Sequence, residues 1–154
     1  MRRILWLIPV AAAVALDQLT KYLAVVFLKP IDTLPLINGV LHLTYLENRG
    51  AAFGMLENHR WVFMLTSTLA IIAVFVFMFG WYEKFCNPLF YAGLSLIAGG
   101  GIGNMIDRVA HGYVVDFIDF RLINFAVFNA ADSFVCIGAV LVILYVLISD
   151  RKCK

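Results

Sequence analysis

Four stretches of this chain stay apolar for longer than a soluble domain of its size can bury: Ile4 to Leu28, Trp61 to Trp81, Leu89 to Ile106 and Ser133 to Ser149. A helix that crosses a bilayer needs about 20 mostly apolar residues, which is the length these stretches have or approach. Composition agrees. Of 154 residues, 63% are hydrophobic and 14% charged, with a mean hydropathy of +0.91, whereas a soluble domain carries roughly 25% charged residues. Lipid has to absorb the excess, and helices do so because they satisfy their own backbone hydrogen bonds. Trp6, Trp61 and Trp81 all fall at proposed span ends, where an amphipathic ring prefers the headgroup layer.

The expected architecture is an all-α membrane protein forming a single domain. It has four transmembrane helices, outer loops at 29–60 and 107–132, a small extracytoplasmic β-rich cap and a short surface helix. In the first loop, Asn38-Gly39 separates two apolar runs, Thr33 to Ile37 and Val40 to Tyr45, which is a strong hairpin signal because both turn residues tolerate positive φ. Ala51 to Leu56 reads as an amphipathic helix on the membrane surface, and Val114 to Arg121 as a strand.

Lys and Arg give the orientation. Arg2, Arg3, Lys84, Arg151, Lys152 and Lys154 share the side of the termini; Lys29, Arg49, Arg60, Arg108 and Arg121 are spread over longer loops opposite. By density this favours both termini in the cytoplasm. Arg2-Arg3 before an apolar run and Ala13-Val14-Ala15 also resemble a secretory signal, but the apolar run continues to Leu28, so an uncleaved first helix is expected. The net charge of +2 gives no reason to expect nucleic acid as a partner. Cys86, Cys136 and Cys153 are odd in number and lack metal-type spacing, so they read as free thiols. His42, His59 and His111 match no metal motif, and neither metal nor cofactor is expected.

Ionisable residues inside spans are costly and mark function. Asp17 and Lys21 are four residues apart on one helix face, which alone is equally a salt bridge that eases insertion. Gly100, Asn104 and Arg108 recur every four residues near the end of the third span, with Asp107 beside them. Close helix packing accounts for the glycine; a polar, partly wet cavity accounts for Asn104 and Arg108. Asp116 stands in an apolar strand-like run, Val114-Val115-Asp116-Phe117, where desolvation disfavours its charged form. Asn129 and Asp132 have the spacing of a helix N-cap and an acid at the third helical position, and a helix N-terminus favours a carboxylate's negative charge. Two carboxylates in such contrasting settings make an acid/base pair that can activate a water between them.

Five segments then carry a resemblance: Asp17-Gln18-Leu19-Thr20-Lys21, Glu47-Asn48-Arg49-Gly50-Ala51-Ala52-Phe53-Gly54, Gly103-Asn104-Met105-Ile106-Asp107-Arg108, Val114-Val115-Asp116-Phe117 and Phe128-Asn129-Ala130-Ala131-Asp132-Ser133. In order, spacing and layout the chain resembles the bacterial lipoprotein signal peptidases (signal peptidase II). The resemblance implies an aspartic endopeptidase of the bacterial cytoplasmic (inner) membrane, with its site near the outer face. Such an enzyme removes the signal peptide from prolipoproteins, cutting before a cysteine that already carries diacylglycerol. It implies Asp116 and Asp132 as the catalytic dyad. Asn48, Gly100, Asn104, Arg108 and Asn129 would surround the dyad, and Asp17 and Lys21 would buttress it. On physical grounds, and apart from the resemblance, the cap loops, especially Asn48 to Phe53, are expected to close over the substrate and limit water access. The implied partners are diacylglyceryl-modified prolipoproteins and membrane lipid, with no obligate protein partner. Asp107, Glu47 and Arg49 match the motifs without an assigned role.

Two other classes fit the intramembrane charges taken alone. One is a small transporter or channel whose polar path is lined by Asp17, Lys21, Asn104 and Arg108, although no inverted repeat accompanies it. The other is an assembly factor whose polar face binds another helix, in which amide replacements of Asp116 and Asp132 would be tolerated.

Overall fold

Small residues decide how closely membrane helices approach, and here they are concentrated in one helix. A computed structural model describes residues 2–50, 60–80 and 87–148. Among these, helices α1 (Leu7–Leu23), α2 (Arg60–Gly80), α3 (Pro88–Ala110) and α4 (Ala130–Ile148) belong to four segments long and apolar enough to cross a membrane. A short 3-10 turn, Arg2–Trp6, leads into α1, and a wide π turn, Ala24–Leu28, ends that span.

α3 is central and contacts the other three helices. A Cβ on Gly93 would lie 2.8 Å from the Gly138 carbonyl oxygen of α4, and one on Gly99 only 2.6 Å from the Ala13 Cβ of α1. Backbones therefore meet where larger side chains would hold them apart. The faces turned away from α3 are greasy and open: on α2, Leu65, Leu69, Ile72 and Val76 form an exposed stripe at helical spacing, suited to lipid contact. At the end of the bundle near the termini, Met78, Phe90, Tyr91, Leu94 and Tyr145 form an aromatic-rich cluster.

At the opposite end lies an antiparallel sheet in the order β1 (Thr33–Ile37), β2 (Leu41–Asn48), β3 (Val114–Phe120). Its underside packs Val115 and Phe117 against Ala24 and Leu28 of the first span. Pro35, which cannot donate to a ladder, lies in the edge strand β1. One residue more in β2 than in β3 separates the pairs Leu43–Ile118 and Leu46–Asp116. Such a bulge bends the strand and re-aims its side chains beside Asp116.

The expected class, a helical membrane protein with a small β cap, is the observed one. The hairpin forms with a different turn from the one expected. Only Gly39 takes positive φ (71°), and Val40 N–H closes the turn on the Ile37 carbonyl at 3.0 Å. This is the type II pattern, which needs glycine at one central position only. α3 also runs past Ile106, where the apolar stretch ends. It stops at a cap in which His111 N–H reaches the Asp107 carbonyl and Gly112 adopts φ 85°. Asp107 and Arg108 thus sit on helix instead of loop. The surface helix expected at Ala51 to Leu56, Trp81 at the end of the second span, and Cys86 and Cys153 lie outside the described residues.

Candidate active site

The α4 N-terminus is built from its own sequence. Asn129 precedes the helix, and the Asp132 backbone N–H donates to Asn129 Oδ1 at 3.0 Å. In return the Asn129 backbone N–H donates to Asp132 Oδ2 at 3.1 Å. This reciprocal cap satisfies two donors that a helix start leaves free. It also fixes the Asp132 carboxylate at the positive end of the helix, with its other oxygen free to face inward.

Asp116 comes from β3 and is 2% exposed. Its two oxygens accept from two amides: Asn129 Nδ2 at 2.7 Å on Oδ1, and Asn48 Nδ2 at 2.8 Å on Oδ2. Burial nevertheless pushes its carboxyl up to about 7, and the negative charge of Asp132 adds to that, against the lowering effect of the two amides. The Asp116 carboxyl can therefore hold a proton at neutral pH while the amides hold it in place.

Asn104 on α3 joins the two halves. Its Nδ2 donates to Asp132 Oδ1 at 2.8 Å, while its Oδ1 accepts from Lys21 Nζ at 2.8 Å and from Asn129 Nδ2 at 3.1 Å. A lysine ammonium can only donate, so its position dictates which end of the Asn104 amide turns toward Asp132. Lys21, 3% exposed, also pairs with Asp17 at 2.9 Å and Asp107 at 3.1 Å. A buried ion pair of this kind needs its remaining hydrogen-bonding capacity filled. Gln18 helps, donating to Asp17, to the Gly103 carbonyl and to Asp107.

Asp116, Asp132, Asn48, Asn104 and Arg108 line one cavity of about 570 Å³. The rest of its lining is largely apolar, with Phe125, Val127, Phe128, Cys136 and Ile137 among others. Arg108 lies over the Phe63 ring, 5.6 Å from its centroid, and its NH1 reaches the Asn104 carbonyl at 3.4 Å.

All nine residues singled out in the sequence are described, and eight join in this network or cavity. Gly100 does not reach the cavity; a Cβ there would collide with the Ala131 carbonyl oxygen, so it serves close packing of α3 against α4 behind the site. Glu47 and Arg49 stand at the outer rim, where Glu47 pairs with Lys29 at 3.0 Å and Arg49 is exposed. Sequence reasoning gave no role to Gln18, although it lies three residues before Lys21 on the same face. It also missed the apolar wall from Phe125 to Phe128, which no periodicity marks.

Four membrane-length helices with a buried and a half-buried aspartate, Asp116 and Asp132, on one largely apolar cavity define a polytopic membrane protein organised about acid chemistry. Comparison with known proteins specifies it. The profile of the family described as Signal peptidase (SPase) II matches residues 9–148. The chain is 42% identical over 153 residues to a lipoprotein signal peptidase of Clostridioides difficile (strain 630), covering 97% of this chain and 99% of that one. It is 51% identical over 132 residues to that of Caldanaerobacter subterraneus subsp. tengcongensis, covering 86% and 88%. A bacterial membrane enzyme solved by the in meso method at 2.3 Å resolution superposes with a TM-score of 0.84 at 34% identity, covering 97% of this chain and 92% of that one. The chain belongs to the signal peptidase II family and is a membrane peptidase. The transporter and assembly-factor readings are thereby set aside.

Proposed function

We propose that this chain removes the signal peptide from diacylglyceryl-modified prolipoproteins, cutting before the lipidated cysteine, with Asp116 and Asp132 as its catalytic dyad. The observation that carries this reading is the contrast between the two acids. Asp116 is buried in a strand and able to stay protonated at neutral pH, while Asp132 is held at a helix N-terminus by N–H donors.

In this mechanism a water lies between the acids. Asp132 takes a proton from it as its oxygen attacks the scissile carbonyl carbon, and the Asp116 hydroxyl donates to the carbonyl oxygen, where negative charge develops. As the resulting gem-diol collapses, the C–N bond breaks. Asp132 returns its proton to the leaving cysteine nitrogen, and Asp116 regains the proton it gave to the carbonyl oxygen. Asn48, Asn104 and Asn129 orient the carboxylates, Arg108 places positive charge at the cavity, and the buried Asp17 and Lys21 support Asn104.

The apolar wall suits a signal peptide, and the lipid on the cysteine would anchor the bond near the headgroup layer. The greater density of Lys and Arg beside the chain ends supports cytoplasmic termini, which puts the sheet and the dyad at the outer face.

The test is cleavage of a diacylglyceryl-modified prolipoprotein by the purified protein in detergent. Wild type should cleave, and folded Asp116→Asn and Asp132→Asn should lose cleavage. Near-normal turnover by either variant would refute the dyad. No cleavage by folded, lipid-supplied wild type would refute the substrate.

A further inference from the structure

The buried carboxylates behind the dyad do more than neutralise Lys21. Asp107 Oδ2 accepts from the Val115 backbone N–H at 3.1 Å, and Asp17 Oδ1 accepts from the Ala131 backbone N–H at 2.9 Å. Val115 immediately precedes Asp116, and Ala131 immediately precedes Asp132. We infer that Asp107 and Asp17 are positioning residues, each tying down the main chain one residue before a dyad aspartate, with Lys21 joining the two ties into one frame. The inference rests on the dyad assignment above and goes beyond it.

Both N–H groups would otherwise be stranded. β3 is an edge strand of the sheet. Along its free edge, the N–H groups of Phe117 and Ile118 are taken by the Phe128 carbonyl at 3.0 and 2.8 Å, leaving Val115 to Asp107. Ala131 lies in the first turn of α4, where N–H groups have no intrahelical acceptor. The Asn129 side chain is spent on Asp132 N–H, so the Ala131 donor goes to a carboxylate 114 residues away. Both sites are dry, with Val115 4% exposed and Ala131 fully buried, and an unmade bond there is costly.

A simple ion pair would need no such geometry. Asp17 gives one oxygen to Lys21 and Gln18 and the other to Ala131. Asp107 gives one to Lys21 and Val115 and the other to Gln18. The dyad acids come from different elements, a strand and a helix. The route through Val115, Asp107, Lys21, Asp17 and Ala131 connects their backbones across the protein interior. Sub-ångström control of that spacing is what water activation between two carboxyls requires.

The experiment is amide NMR of the detergent-solubilised full chain labelled with 15N-valine and 15N-alanine. The two peaks are assigned by their loss in Val115→Ile and Ala131→Ser. Asp107→Asn should move the Val115 amide proton upfield and leave Ala131 in place; Asp17→Asn should do the reverse. In both folded variants kcat should fall about 100-fold with KM little changed. Peaks that move together in both variants, peaks that stay put, or wild-type kcat in folded variants would each overturn the inference. If a variant yields no folded protein, hydrogen exchange of the unmutated chain decides. Both amides should exchange as slowly as those of mid-α3, and free-end rates at either would overturn the tie. The amide pattern is read without turnover, so it stands or falls separately from the dyad, which Asp116→Asn and Asp132→Asn test.

Discussion

Asn104 faces Asp132 with its amide nitrogen, 2.8 Å away, and turns its oxygen to Lys21 at the same distance. The orientation is forced, since neither the ammonium nor the carboxylate can take the opposite part. A residue near the sheet end of one membrane span thereby sets the hydrogen bonding of an acid at the sheet end of another.

Asn104→Ala should remove that donor and take one acceptor each from Lys21 and Asn129. The expected result is a fall in kcat of about 10–100-fold with KM little changed, measured on a prolipoprotein substrate. A fall confined to KM would place Asn104 in substrate binding instead.

Gly103→Ala should be far more damaging than its size suggests, because the new Cβ would collide with the Asp17 carboxylate. Overpacking of this kind costs about 1–3 kcal/mol, and here it also pushes on the ion cluster. A lower thermal midpoint and reduced turnover are expected. Gly80→Ala is the control: a Cβ there meets no atom of the described residues within 4 Å, and stability should hold or rise.

pH should act on both rate and stability through Asp116, whose carboxyl is pushed up to about 7 by burial. The folded protein holds this proton while an unfolded aspartate loses it near pH ~3.9. Stability from this group is therefore full at low pH and lost as pH rises toward 7. Thermal unfolding at pH 5 and pH 8 should show the loss in wild type and its absence in Asp116→Asn. Turnover should likewise decline above about pH 7, as the proton needed at the carbonyl leaves.

Cys136 is exposed on the cavity wall, one helical turn beyond Asp132. In a chain with Cys86→Ser and Cys153→Ser, a bulky maleimide should label it and block cleavage. Methyl thiosulfonate, which adds little volume, should inhibit less. Full labelling without inhibition by either reagent would show that Cys136 lies off the substrate path.

Much of this was legible from residue type and spacing. Long apolar runs can only be spans, and Asn129 with Asp132 spells a reciprocal cap whose geometry is local. Asp17 and Lys21 share a face by helical periodicity alone. What escaped the sequence was long-range or made by backbone. Nothing in Asp107 says that it will accept from Val115, because that bond depends on how far α3 continues and on which edge of β3 stays unpaired. The Asn38-Gly39 turn was foreseeable as a hairpin, but neither its type nor the extra residue in β1 between Pro35 and Ile37 was. Gly100 reads as part of the site because its neighbours one and two turns on belong to it, yet its missing side chain serves the helix behind.

The outer edge of β3 has no vacancy at the acid. With Val115 N–H given to Asp107, and Phe117 and Ile118 to Phe128, an incoming peptide cannot extend the sheet there as an added strand. Many proteases grip their targets by such main-chain pairing, which accepts almost any sequence. Closing that route leaves side-chain volume and polarity as the means of telling one polypeptide from another, a filter suited to an enzyme surrounded by other membrane helices that must be left intact.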